Sequence, residues 1–148
     1  MKLSGSTEIN AKKQAVWTFL TDANAVGSCV PGLEEMDIIE PEKLFKATAN
    51  IGFGTVSVRF ITEVEWLELD EPDSATMKAH GDGPGSAADV WAKMDLNEGD
   101  NGKTLLNWEA DVTVVGTIAS LASRLLPSVS NILTSMFFNC VQKHIQSM

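Results

Sequence analysis

The sequence has no apolar run of about 18 residues, so no segment of it reads as a helix that crosses a bilayer. It has no basic patch. The 11 Lys and Arg residues stand singly, apart from Lys12-Lys13, against 20 Asp and Glu, for a net charge of -9. Duplex nucleic acid needs clustered cations to displace its counterions, and anionic lipid needs them for electrostatic docking. Both partners are therefore unexpected. Cysteine is scarce: Cys29 and Cys140 are too few for a disulfide framework. The first eight residues, Met1 to Glu8, carry no apolar segment of signal-peptide type. A soluble chain in a reducing, cytoplasmic setting is the expectation.

What is present suits one domain over 1–148. Apolar residues make up 44% and charged residues 21% of the 148 positions. A chain of that length can bury roughly 70% of its unfolded surface without staples.

Residues 2–9 alternate, with Leu3, Gly5, Thr7 and Ile9 on one face, which predicts a half-buried strand. Asn10 is placed to cap a helix over 11–21, with Val16, Trp17 and Leu20 on its apolar side. Asp22-Ala23-Asn24 can open a second short helix ending by Gly27, and Cys29-Val30-Pro31-Gly32 reads as a turn. From 35 to 116 the period is two. Strands are expected at 35–40, 43–51, 55–70, 74–81, 87–98 and 103–115, separated by Pro-, Gly-, Asp- and Asn-rich breaks. Short breaks between long alternating strands mean an antiparallel meander. Over 117–146 the apolar residues return every three or four positions, which predicts a long helix, kinked or broken near 123–127 by Pro127. A one-faced sheet must cover its apolar side. The only element long enough is this helix, so the sheet should curl around it.

The inward face of the predicted strands is apolar throughout and rich in alanine: Ala47, Ala49, Ala75, Ala79, Ala88, Ala92 and Ala110. Small residues on a concave sheet leave volume, to be taken up by a closer helix or by an apolar cavity. An empty void of ~300 Å³ would cost roughly 7 kcal/mol, comparable with a whole domain's stability. A cavity of that size should therefore hold a ligand or collapse.

Catalytic patterns are missing. Neither His80, on the predicted outer face, nor His144 has a metal-ligand neighbourhood in sequence. Cys140 and His144 form an i, i+4 pair without a visible third ligand, and no metal or other cofactor is expected. No nucleophile elbow occurs. Gly81-Asp82-Gly83-Pro84-Gly85 joins two strands, so it is read as a hairpin loop and not as a phosphate cradle. The carboxylates face outward, which leaves no general acid or base inside. Trp17 is read as core, Trp66 and Trp108 as inward, and Trp91 as an outward-facing residue that could mark a contact surface.

Four stretches together resemble one family. They are Leu3-Ser4-Gly5-Ser6 with Ala15 to Asp22; Ser28-Cys29-Val30-Pro31-Gly32; Gly52-Phe53-Gly54 opening a long strand; and Ala110-Asp111-Val112 with Gly116 to Leu125. Their order and spacing are similar to the CoxG family of carbon monoxide dehydrogenase subunits, within the START-like (SRPBCC) superfamily. The resemblance implies an α+β helix-grip fold of START/Bet v 1 type, with a curved seven-stranded antiparallel sheet around the long C-terminal helix. It implies a non-catalytic binder of a lipid- or quinone-like molecule, accessory to a carbon monoxide dehydrogenase-type molybdenum hydroxylase. It makes Val30, Pro31, Gly32 and Phe53 a gate. Longer family members carry a C-terminal extension that can reach the membrane. Here contact is expected to be peripheral at most, at the inner face.

The expected ligand wall is Val58, Phe60, Met77, Val90, Ala92 and Trp108 on the sheet, with Leu121, Leu125, Val129 and Leu133 opposite on the helix. Two other classes stay open: a superfamily cyclase or hydrolase acting on an aromatic or polyketide-like substrate, and an interaction or assembly module without a small ligand.

Overall fold

A computed structural model describes residues 1–146. Its elements are β1 (Lys2–Ile9), α1 (Lys13–Thr21), α2 (Ala23–Gly27), β2 (Leu33–Glu40), β3 (Leu44–Phe53), β4 (Val56–Asp70), β5 (Ser74–Gly83), β6 (Ser86–Glu98), β7 (Thr104–Gly116) and α3 (Ala119–Gln146). Each predicted strand forms, with its ends close to those expected. All pairings are antiparallel. The sheet order is β1-β7-β6-β5-β4-β3-β2, a meander whose last strand pairs with the first. β1 and β2 are left as edges, so the sheet is open, and α1 and α2 are the connection between those edges.

The start of α1 differs from expectation. The Asn10 side chain does not cap it. Lys12 is the N-cap residue and supplies no side-chain hydrogen bond. The Asn10 amide instead donates to Gln142 Oε1 of α3 at 3.1 Å. The fully buried Thr104 hydroxyl donates to the Ala11 carbonyl at 2.7 Å, which ties this turn to β7. Asp22 does cap α2: its Oδ1 accepts from the Asn24 and Ala25 amides. In the following turn Gly32 has φ 78°, where a Cβ would strike the Asn50 carbonyl.

α3 runs through Pro127 without a break. Proline removes one backbone donor and leaves the Ser123 carbonyl without its usual partner. Both residues are exposed, so water can reach that carbonyl. Three segments of α3 pack differently. Val141 and Ile145 enter a core with Ile9, Val16, Trp17 and Leu106. Ala122 enters a second core with Phe53, Val58 and Phe60. The middle spans the concave sheet between them. The apolar stripe is narrower than its sequence suggests, because Ile132 is 60% and Met136 54% exposed.

Candidate functional site

Between the two cores, the sheet and the middle of α3 form the walls of a solvent-open cavity of about 330 Å³. Its floor is built by small residues on neighbouring strands: Ala49, Ala79, Gly81 and Ala88. Gly81 lies opposite Thr62, and a Cβ there would come within 2.8 Å of Thr62 Oγ1. Phe53, Phe60 and Ile51 wall one side, Val90, Val112 and Val114 another, and Leu126 and Leu133 line it from the helix. The polar side chains are hydroxyls: Thr62, Ser130 and Thr134. Thr134 spends its proton on the Ser130 carbonyl at 2.8 Å. None of the lining residues carries a titratable side chain, so no group there can move a proton near neutral pH.

The expected wall residues separate into three groups. Phe60, Val90 and Leu133 line this cavity, as does Phe53 of the expected gate. Val58 is buried in the second core, with Leu121, Leu125 and Val129 packed against it. Met77, Ala92 and Trp108 lie off the lining: Ala92 sits in register between Met77 and Ala110, and Trp108 packs against the first core. Val30, Pro31 and Gly32 are also off the lining. Their turn is held by the bond from the Asn50 amide to the Gly32 carbonyl. Sequence reasoning missed Leu126, Ser130 and Thr134 as lining, because two of the three are polar. The available signal was their helical spacing around Leu133, which puts all four on one flank of α3.

The outer face of the sheet carries a larger, solvent-open depression of about 640 Å³, lined by charged side chains including Glu63, Glu65 and Lys78. His80 stands in it between two carboxylates, with Nδ1 2.7 Å from Asp89 Oδ1 and Nε2 3.1 Å from Asp82 Oδ1. The hydrogen bond to Asp89, then that to Asp82, raises its pKa above 6.5. With both nitrogens occupied it presents no free base. Trp91 faces outward here, 41% exposed.

A third feature corrects the reading of the cysteines. Cys29 and Cys140 are joined as a disulfide, with their Cα atoms 5.4 Å apart. His144 Nδ1 lies 3.6 Å from Cys29 Sγ and 3.5 Å from Cys140 Sγ. Residues that look scattered in sequence meet because the turn after α2 folds against the last turns of α3.

The family model for CoxG, a subunit of carbon monoxide dehydrogenase, matches residues 5–146. The chain belongs to the CoxG family. Among solved structures, a conserved protein from Geobacillus kaustophilus is similar to this CoxG-family chain at 25% identity and TM-score 0.91, covering 99% of this chain and 96% of that one. A START superfamily protein from Mycobacterium smegmatis is similar at 14% identity and TM-score 0.71, covering 99% and 97%. The Zhui aromatase/cyclase from Streptomyces sp. R1128 is similar at 13% identity and TM-score 0.75, covering 99% and 93%. These likenesses establish a START/Bet v 1-like fold for this CoxG-family chain. None of the curated proteins matches it. Among the described residues, no helix is long and apolar enough to cross a membrane.

Proposed function

We propose that this CoxG-family protein is a non-catalytic carrier. It holds a lipid- or quinone-like molecule between its sheet and α3, and it serves a carbon monoxide dehydrogenase-type molybdenum hydroxylase. The observation that carries this is the cavity of about 330 Å³, whose lining is apolar apart from three hydroxyls and has no titratable side chain. That volume is at the lower end of small-molecule sites, about 300–1,000 Å³. It suits a ring or a short length of chain, so a longer ligand leaves a tail outside. Affinity comes from removing apolar ligand surface from water. About 300 Å² buried at roughly 25 cal/mol per Å² gives several kcal/mol before association costs. The hydroxylase as partner rests on the family's name.

Native mass spectrometry of the purified protein, with organic extraction of what it carries, tests this reading. A bound lipid or quinone, or uptake of added menaquinone, is the expected result. An empty protein that also refuses menaquinone overturns the carrier and favours an assembly module.

A further inference from the structure

We propose that Cys29, Cys140 and His144, when the disulfide is open, form a three-ligand site for a soft divalent ion of the zinc class. The three ligand atoms lie within 4.8 Å of one another. In tetrahedral zinc, bonds of about 2.3 Å to sulfur and about 2.0–2.1 Å to nitrogen put sulfur and nitrogen about 3.6 Å apart. The two Sγ–Nδ1 distances here are 3.6 and 3.5 Å while the sulfurs are bonded, and the same geometry requires the two sulfurs to part to about 3.8 Å once the disulfide opens. His144 and Cys140 sit one turn apart on α3, so the helix fixes their relation before any ion arrives. Cys29 comes from the other side, on a turn held by the bonds from its own amide to the Val26 carbonyl and from the Asn50 amide to the Gly32 carbonyl.

The ring is already aimed. His144 Nδ1 lies 2.9 Å from the Cys140 carbonyl, to which it donates while the ion is away. His144 is exposed, so its proton can move to Nε2 and free the Nδ1 lone pair without changing the ring's charge. The Phe19 ring packs beside it, with centroids 6.0 Å apart. Cys29 is buried and Cys140 half-buried, whereas His144 faces solvent, so the fourth coordination position opens outward for water.

Opening the disulfide takes two electrons and two protons from a dithiol, which leaves as its own disulfide. The ion then replaces the two thiol protons. Oxidised and metal-loaded forms cross-link the same two segments by different bonds, and each excludes the other. The site lies in the first core, away from the apolar cavity, and does not depend on what the cavity holds.

The test uses the whole chain, reduced with a phosphine that does not hold metal and titrated with Co²⁺ and then Zn²⁺. The expected result is one equivalent of Co²⁺ with thiolate charge-transfer absorption and the intense visible bands of a tetrahedral ion, displaced by Zn²⁺. His144→Ala should weaken binding by more than about tenfold, since losing even a group that only orients a ligand costs about 10–100-fold. His144 is exposed, so this variant keeps the fold, and Cys29→Ser should remove binding. The disulfide form should bind no ion at the site. Failure of the reduced protein to bind Co²⁺, or equal affinity in His144→Ala or in the disulfide form, overturns the proposal.

Discussion

His80 donates to Asp89 and Asp82 from both ring nitrogens, so its protonated form is favoured in the folded chain. A folded pKa raised above 6.5 contributes stability that is complete below the unfolded value. That contribution is lost as pH rises through the folded value. An NMR titration should find His80 above 6.5, and Asp89→Asn should return it toward 6.5. The stability difference between the two proteins should shrink as the pH passes the folded value. At the cavity, Ala88 lines the space and stands in register between Gly81 and Val114, so a large side chain there would occupy it. Ala88→Trp should abolish menaquinone uptake, read by native mass spectrometry, while leaving the circular dichroism unchanged. Ala92→Trp lies off the lining and is the control. It should retain uptake, with an overpacking cost of about 1–3 kcal/mol. If Ala88→Trp takes up menaquinone normally, the cavity is not where the ligand sits.

Among the elements, α3 holds the fold closed from both ends, through Ala122 in one core and Val141 and Ile145 in the other. Pro127 is exposed and inside this helix. A proline in a helix interior costs about 3 kcal/mol relative to alanine, less where water satisfies the freed carbonyl. Pro127→Ala should therefore stabilise the protein by about 1–3 kcal/mol, read as a higher urea midpoint at unchanged slope. A lower midpoint would mean that Pro127 shapes the helix over the cavity. The strands behave differently. Their alternation alone orients the side chains, so the inward alanines Ala49, Ala79 and Ala88 of β3, β5 and β6 reach the cavity as the pattern predicts. The bulge between Trp66 and Glu68 locally resets β4. Leu67, the extra residue of the bulge, is 44% exposed, and Leu69 beyond it is 42% exposed.

At the scale of the whole molecule, the Cys29–Cys140 bond closes a loop with a sequence separation of 111. Cross-links over loops of that order restrict the unfolded chain most, and losing one typically costs about 2–5 kcal/mol. Reduction without metal should lower the free energy of unfolding in urea by about that amount, and Zn²⁺ should restore part of it. An unchanged midpoint after complete reduction, verified by thiol counting, would show that the two segments are held by packing alone. The expected cytoplasmic setting would favour the open pair, and an oxidising one the closed pair. The carrier reading also belongs at this scale, because its cavity exists only where the curved sheet stands away from α3.

The sequence by itself determined the element order, the antiparallel meander, the inward face and the covering helix. Each follows from a local period or a turn residue that acts over a few positions. It also placed Phe60, Val90, Leu133 and Phe53 near the space they line. Only the tertiary structure decided which flank of α3 meets the cavity. A wide apolar stripe on a helix fits a concave sheet at more than one rotation, and contacts with Phe53 and Val58 chose one. It decided that Asn10 binds α3 instead of capping α1. It also brought Cys29 to Cys140 and His144, because a contact across 111 residues leaves no periodic trace in either segment.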